Sequence, residues 1–383
     1  MSKVRIKTLT PVHIGSGNML YKGMDYVVED GKLYIIDHRK VLDIIGAQRV
    51  DAWVNSIERN EDIAGFIARQ GMNVSPPAEY AKRTMKCYSN GSTVKECIHD
   101  GRGLPYIPGS SLKGAIRTAV LATEIEGIEN NYIEYLQKKK EDVDNRRCKK
   151  DKVSNGIEEK LFSKLAPEGR KGVSAPNTSY MRFLQIGDAY FNEECETVLN
   201  AINLNIRERD SLIDKSKPQA IETINSGEEA ELEIRLKKDV IKNDREGLVH
   251  KLPECMSSLE ELFIIINNHT KKLLEEELEY WSGVSKELSG ADSYIEFIVD
   301  LIAETKDVKD GKECILRVGY ASGWRFTTGA WTEALESFYD TVVPISRTND
   351  KAYSKYDFPK SRRVYEIEDG GLDVLGFVKL TLI

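Results

Sequence analysis

The chain is 383 residues long and carries 55 Lys and Arg against 62 Asp and Glu, a formal net charge of −7. With 40% hydrophobic and 31% charged residues it can bury a core as one large domain or, better, two, but it lacks the overall basicity of a bulk-charge nucleic-acid binder. No apolar run reaches the roughly 20 residues needed to cross a bilayer, and the start Met1-Ser2-Lys3-Val4-Arg5-Ile6 has no signal-peptide core.

Six cysteines (Cys87, Cys97, Cys148, Cys195, Cys255, Cys314) lie far apart without a Cys-x-x-Cys pair, which suits a reducing compartment. The five histidines show no metal-ligand spacing. The expectation is a cytosolic protein of the cytoplasm with no membrane contact, no structural metal and no cofactor.

Val4 and Ile6 alternate with Arg5 and Lys7, the pattern of a half-buried strand. Tyr26 to Ile36 reads as a hairpin turning at Asp30-Gly31, and Asp37 can cap a helix whose Val41, Leu42 and Ile45 face inward. Residues from about 53 to 97, with Pro76-Pro77 and Asn90-Gly91, read as an insertion of mixed helix and loop.

In Tyr106-Ile107-Pro108-Gly109-Ser110-Ser111-Leu112-Lys113-Gly114-Ala115-Ile116-Arg117 a turn runs into two serines, either of which can cap a helix. Leu112, Ala115, Ile116, Ala119 and Val120 form its buried face, while Ser110, Lys113 and Arg117 fall on another. Free backbone N–H groups, a hydroxyl and two cations at one helix start suit a phosphate. Gly114 lets a backbone or a sugar approach closely. A capped amphipathic helix with solvated charges accounts for the same pattern.

Residues 124–179 are polar and read as increasingly loop-like, with a turn at Pro167 to Gly172. Basic clusters at Lys138-Lys139-Lys140, Arg146-Arg147, Lys149-Lys150 and Arg362-Arg363 offset an acidic body. Phe183 to Phe191 reads as a strand closing a first domain. Strands follow at Ile202 to Ile206 and within Ala220 to Leu236, punctuated by Asn225-Ser226-Gly227. Ser258 with Glu261 predicts a capping box for a long helix, a second helix covers Ala291 to Thr305, and Cys314 to Val318 reads as a strand. Gly319-Tyr320-Ala321-Ser322-Gly323-Trp324-Arg325 then allows a tight backbone path. Its glycines can set N–H groups against phosphate, Tyr320 and Trp324 can stack on bases, and Arg325 can pair with the backbone. A turn with two core aromatics is the alternative. Neither the Rossmann nor the P-loop spacing is present.

Pro108 to Gly114 resembles the signature of the RAMP superfamily, the RNA-binding subunits of CRISPR effector complexes. Leu9-Thr10-Pro11-Val12-His13-Ile14-Gly15-Ser16-Gly17 resembles that family's first strand and turn. Arg317 to Trp324 is similar to its glycine-rich loop, and Leu375 to Leu380 to its closing strand. Strands and helices mix in both halves, as in an α+β protein. The resemblance implies two modified ferredoxin-like (RRM-type) domains with helical and loop insertions, here divided as 1–191 and 192–383. Early motif, hairpin, insertion and length are most similar to the fifth-subunit family of type III-A (Csm) complexes. That resemblance implies a non-catalytic, RNA-binding subunit at the filament end holding the 3′ region of CRISPR RNA, with roles in guide maturation and assembly. The partners it implies are CRISPR RNA and the backbone RAMP subunits, with target RNA and a host trimming nuclease as further candidates.

The RNA-binding residues expected on this basis are His13, Gly15, Ser16, Gly17, Ser110, Ser111, Lys113, Gly114, Arg117, Gly319, Tyr320, Ser322, Gly323, Trp324 and Arg325, converging on one face. The slicing relatives carry an aspartate upstream of the signature helix. Here Ser89 to Ile98 holds only Glu96, and Asp100 reads as structural. Should the chain instead be a RAMP-type ribonuclease, His13 is the candidate general base and Lys113 the charge stabiliser; His38 and His99 have weaker claims. A third reading uses the basic loops for protein contacts alone.

Overall fold

In a computed structural model, residues 2–59, 61–71, 77–150, 153–162, 179–206, 211–237, 253–346, 358–367 and 370–383 are described. The expected turn at Pro167 to Gly172 lies outside them.

The strand around Val4 and Ile6 is β1 (Ser2–Thr8), both side chains fully buried. It ends before the family-like motif. Residues 9–14 are a connector pinned by a two-way backbone pair between Val12 and Ile224, and β2 (Gly15–Tyr21) starts only at the first glycine. The expectation of a strand running into a glycine turn over Leu9 to Gly17 is thus corrected: the first strand ends at Thr8, Pro11 lies where the chain crosses between sheets, and Gly15 to Gly17 begin the next strand.

The hairpin forms as β3 (Tyr26–Glu29) and β4 (Lys32–Ile36), with Asp30 and Gly31 both at positive φ, the geometry of a two-residue primed turn. Asp37 caps α1 (His38–Ile45) by accepting the N–H of Arg39. Two short helices follow, α2 (Val50–Glu58) and α3 (Ile63–Arg69), whose Trp53 and Phe66 pack with Ile36, Val41 and Tyr80.

The supposed insertion also holds sheet. Strands β5 (Ala81–Cys87) and β6 (Thr93–Cys97) pair with later strands, so residues 81–97 are integral to the fold. Only Ala81 and Met85 are buried along β5, and the Lys and Arg residues between them hid the alternation.

A two-residue strand β7 (Tyr106–Ile107) leads into α4 (Gly109–Ile125). The expected serine cap does not form. Pro108 occupies the cap position, Ser110 is exposed, and the N–H of Gly109 donates to Asp188. Gly109 is required, since a Cβ there would lie 2.2 Å from the Ile186 carbonyl oxygen. Among the described residues of 124–179, α5 (Ile133–Asp144) and α6 (Asn155–Phe162) pack through Leu136, Ile157 and Phe162, where the composition suggested loop.

Phe183 to Phe191 is not one strand. It breaks at Gly187-Asp188 into β8 (Leu184–Ile186) and β9 (Ala189–Tyr190). Then come β10 (Glu196–Asn205), β11 (Ile213–Ile224) and β12 (Glu229–Leu236). The Ser258 side chain caps α7 (Leu259–Val284) as expected, and α8 (Asp292–Asp307) follows. The closing strands are β13 (Glu313–Arg317), β14 (Ser361–Glu366), β15 (Leu372–Asp373) and β16 (Phe377–Leu382).

Five strands form one sheet in the order β13-β16-β1-β12-β8, antiparallel throughout. Helices α4 and α7 pack on it over the largest core, which includes Leu112, Ile116, Leu262 and Phe263. A second sheet runs β2-β6-β11-β10-β5-β4-β3, with β14 and β15 attached through β10. The fold is mixed α+β. Both sheets take strands from each side of residue 191, so the division 1–191 and 192–383 does not coincide with the sheets.

Candidate nucleic-acid interface

The connector after β1 brings His13 beneath the glycine-rich loop. The His13 carbonyl accepts the N–H of Tyr320 at 2.9 Å, and the His13 ring meets the Tyr320 ring edge-on at 5.5 Å. Gly319 is essential to this approach: its φ is 78°, and a Cβ would stand 2.4 Å from the His13 carbonyl oxygen. His13 itself is only 3% exposed. Its Nδ1 lies 2.7 Å from the Glu222 carbonyl oxygen, and burial lowers its pKa, so the ring is a neutral spacer under the loop.

Gly15, Ser16, Gly17 and Asn18 stand exposed just beyond it. Glu96 accepts both Ser16 Oγ–H and the Asn18 side-chain N–H, each at 3.0 Å, and so fixes the start of β2. Lys95 Nζ stands over the Tyr320 ring, 5.1 Å from its centroid. Arg363 Nε donates to the Tyr320 hydroxyl at 3.0 Å, while its Nη1 donates to Asn203 and to the Lys217 carbonyl. Two cations thus flank one half-buried tyrosine beside an exposed glycine strand, on a chain that is acidic overall. Lys95 and Arg363 were not singled out as site residues from the sequence. The Arg362-Arg363 pair is visible there, and strand alternation is the signal that separates them: Arg362 points inward and Arg363 outward.

The other expected residues are placed differently. Ser110 and Gly114 are exposed and Ser111 half-buried on α4. Lys113 donates to the Leu184 carbonyl at 2.7 Å and its pKa is lowered by burial. Arg117 pairs with Glu158 at 2.7 Å and covers the Phe162 ring. These contacts run to β8 and α6, whereas His13 contacts Gly319 and Tyr320 directly. Gly323 has positive φ with open space around it, and Ser322 Oγ–H closes the loop onto the Gly319 carbonyl. Trp324 packs against Phe338 and Phe358. Arg325 pairs with Glu277 at 3.2 Å and Glu333 at 3.3 Å. The second half of the loop is therefore anchored inward.

Two buried ion networks hold the frame. Under the Tyr320 surface, Arg83 donates to Glu196 at 2.8 Å and Glu222 at 3.2 Å and also contacts His99. Glu222 is fully buried, and burial outweighs the attraction of Arg83 to push its pKa up to about 7. Cys97, Glu196 and Glu222 offer ligand atoms within 4.8 Å of one another. Arg83 already satisfies the two carboxylates, and burial holds the Cys97 thiol well above its ordinary range, so the trio works as an ion-pair network and does not suit a cation. In the second network, Glu277 takes both Arg362 Nε at 2.5 Å and Nη2 at 2.8 Å, with Tyr294 and Trp281 also donating to it. Against the cost of burial, Arg362 lowers the Glu277 pKa to about 2.

Among the described residues, no helix is long and apolar enough to cross a membrane. Residues 5–319 match the model of the RAMP superfamily. A relative from Methanocaldococcus jannaschii, CRISPR system Cms protein Csm5, is 26% identical over 100% of this chain and 89% of its own length. The protein of that name from Streptococcus thermophilus is 32% identical over 32% of this chain and 38% of its own. The fold is similar, with a TM-score of 0.68 and 20% identity over the whole of both chains, to a chain in a cryo-EM structure of a type III-A Csm–crRNA–target RNA ternary complex. It is likewise similar to crystalline T. onnurineus Csm5, with a TM-score of 0.64 and 19% identity over 98% of this chain and 99% of that one. A family match of this extent, with the signature helix and glycine loop in place, shows that the chain belongs to the RAMP superfamily and resembles its Csm5 members.

Proposed function

We propose that the chain is a non-catalytic, RNA-binding subunit of a type III-A CRISPR interference complex. It sits at the filament end that holds the 3′ region of CRISPR RNA and supports guide maturation and assembly in the cytoplasm. The observation that carries this reading is the bond from Tyr320 N–H to the His13 carbonyl. It joins two distant family motifs into one surface, where Lys95, Arg363 and Tyr320 flank the exposed Gly15 to Asn18 strand. Cations with an aromatic between them suit sugar–phosphate and a stacked base, so sequence specificity is low. Ser110 and Gly114, exposed on α4, and the half-buried Ser111 beside them offer a second stretch for the RNA backbone.

Full-length similarity to a chain of a Csm–crRNA–target RNA complex supports the partners: CRISPR RNA, neighbouring RAMP subunits and target RNA. A host nuclease that trims the guide is the further partner. The five-stranded sheet is read as one RRM-type unit. In support, β16-β1-β12-β8 follows the ferredoxin-like order, with α4 after β1, α7 after β12, and β13 added at the edge. The larger sheet is the second, more modified unit.

A non-catalytic role is supported by the His13 ring, which is spent on a carbonyl and on Tyr320. The test is to incubate the full chain, alone and in the reconstituted complex, with end-labelled CRISPR RNA. RNA bound intact, and a guide 3′ end lost when the chain is omitted from the complex, is the expected result. Metal-free cleavage abolished by His13→Ala overturns it.

A further inference from the structure

The β7–β9 ribbon, next to the signature helix, carries aromatic surface that none of the residues above accounts for. Tyr106 and Tyr190 are directly paired across it. Their rings stack with centroids 5.2 Å apart and planes inclined by 26°. Tyr190 is 44% exposed, a large aromatic left in solvent. Arg102 extends its guanidinium over the Tyr190 ring, 6.0 Å from the centroid, and its side chain is 71% exposed. Beside the ribbon a polar cleft of about 310 Å³ is lined by Lys82, Arg102, Gly103, Pro105, Glu193 and Glu194, among others.

We infer that Tyr190, backed by Tyr106 and flanked by Arg102, is a stacking platform for one unpaired nucleobase of the RNA. The inference rests on the RNA-binding reading and adds a contact separate from the Tyr320 surface. Three features favour a base over a phosphate. The rings are already stacked, so a third planar group extends an existing stack. Arg102 is a planar cation that stacks on bases as readily as on tyrosine, and its exposed guanidinium, paired with Asp100 at 2.8 Å, stands where an incoming base meets the stack. The cleft balances Lys82 and Arg102 against Glu193 and Glu194, so it supplies little net attraction for phosphate. The platform is also rigid. Asp188 contacts the Tyr190 hydroxyl at 3.4 Å with one oxygen, and its other oxygen takes the N–H of Gly109 at the start of α4.

The test uses the full chain and a fluorescein-labelled CRISPR RNA at two salt concentrations. Tyr190→Ala is expected to weaken binding about tenfold while leaving the salt slope unchanged, because stacking releases no counterions. Tyr190→Phe keeps the ring and is expected to bind within about twofold of the unaltered chain. RNA carrying 5-iodouridine is expected to crosslink to Tyr190, a readout that needs no substitution. Unaltered affinity in Tyr190→Ala together with crosslinks confined to other residues overturns the platform and leaves the RNA-binding reading standing. Loss of a bound protein neighbour without change in RNA affinity also overturns it. Absence of RNA binding by the unaltered chain sinks the RNA-binding reading itself.

Discussion

Asp188 Oδ1 accepts the backbone N–H of Gly109 at 2.8 Å, so the helix bearing the family signature is capped from a loop 79 residues downstream. Two serines follow Gly109, yet neither caps the helix. The Gly109 backbone is pressed against Ile186 and Gly187, and the nearest acceptor belongs to that opposing segment. Helix α4 and the β8–β9 loop therefore fold as one unit.

Removing this cap should cost about 1 kcal/mol. Asp188→Ala is expected to lower the urea midpoint without changing the slope of the transition, and Asp188→Asn should restore most of the loss. An unchanged midpoint in Asp188→Ala would show that the contact contributes nothing.

Gly319 and Gly323 share a positive φ but differ in their surroundings. Gly323→Ala should cost only the left-handed backbone term of about 1–2 kcal/mol. Gly319→Ala must in addition push the loop off the His13 carbonyl, so its melting temperature should fall well below that of Gly323→Ala. Its RNA affinity should fall with it, since Tyr320 loses its seat. Equal melting temperatures for the two variants would contradict the close approach.

The two buried networks predict opposite pH dependences. Glu277 has its pKa depressed to about 2, so its contribution is present above its unfolded value near 4.5 and is lost as pH falls toward 2. Glu222 has its pKa raised to about 7, so its contribution is present below 4.5 and is lost as pH rises through 7. Urea midpoints measured across pH should therefore fall on both sides. Glu222→Gln should flatten the change between 4.5 and 7. Glu277→Gln should remove the acid loss, but it strands the buried Arg362, while Arg325 keeps Glu333, and should cost about 3–5 kcal/mol near neutrality.

Lys113 is committed to the Leu184 carbonyl. Lys113→Ala should accordingly lower stability by about 1 kcal/mol, with a smaller effect on RNA affinity than substitution of Lys95. A larger loss of RNA affinity at Lys113, with stability unchanged, would show that the lysine leaves its carbonyl to hold phosphate.

Local patterns that a single segment determines were legible in the sequence. The Asp30-Gly31 turn, the Asp37 and Ser258 caps and the alternation in β1 need only neighbours along the chain. Strand β5 was hidden because Lys82, Arg83 and Lys86 break up its apolar signal, and its partners β4 and β10 are far apart in sequence. The candidate site was half legible. His13 meets the Gly319-Tyr320 turn, two motifs that the sequence set far apart. Whether a cation is free is set by carbonyls and carboxylates elsewhere: Arg325 looks available until Glu277 and Glu333 are placed beside it. Lys95 and Arg363 gain their role only from a tyrosine brought in by the fold.

The most direct test of the central claim is the salt dependence of CRISPR RNA binding by the full chain and by the Lys95→Ala, Arg363→Ala double variant. If both cations meet phosphate, each contributes about 0.7 to the slope of log affinity against log salt for a single strand, so the double variant should lose about 1.4. An unchanged slope, with the fold intact by thermal melting, would place the RNA elsewhere on the molecule and contradict the account.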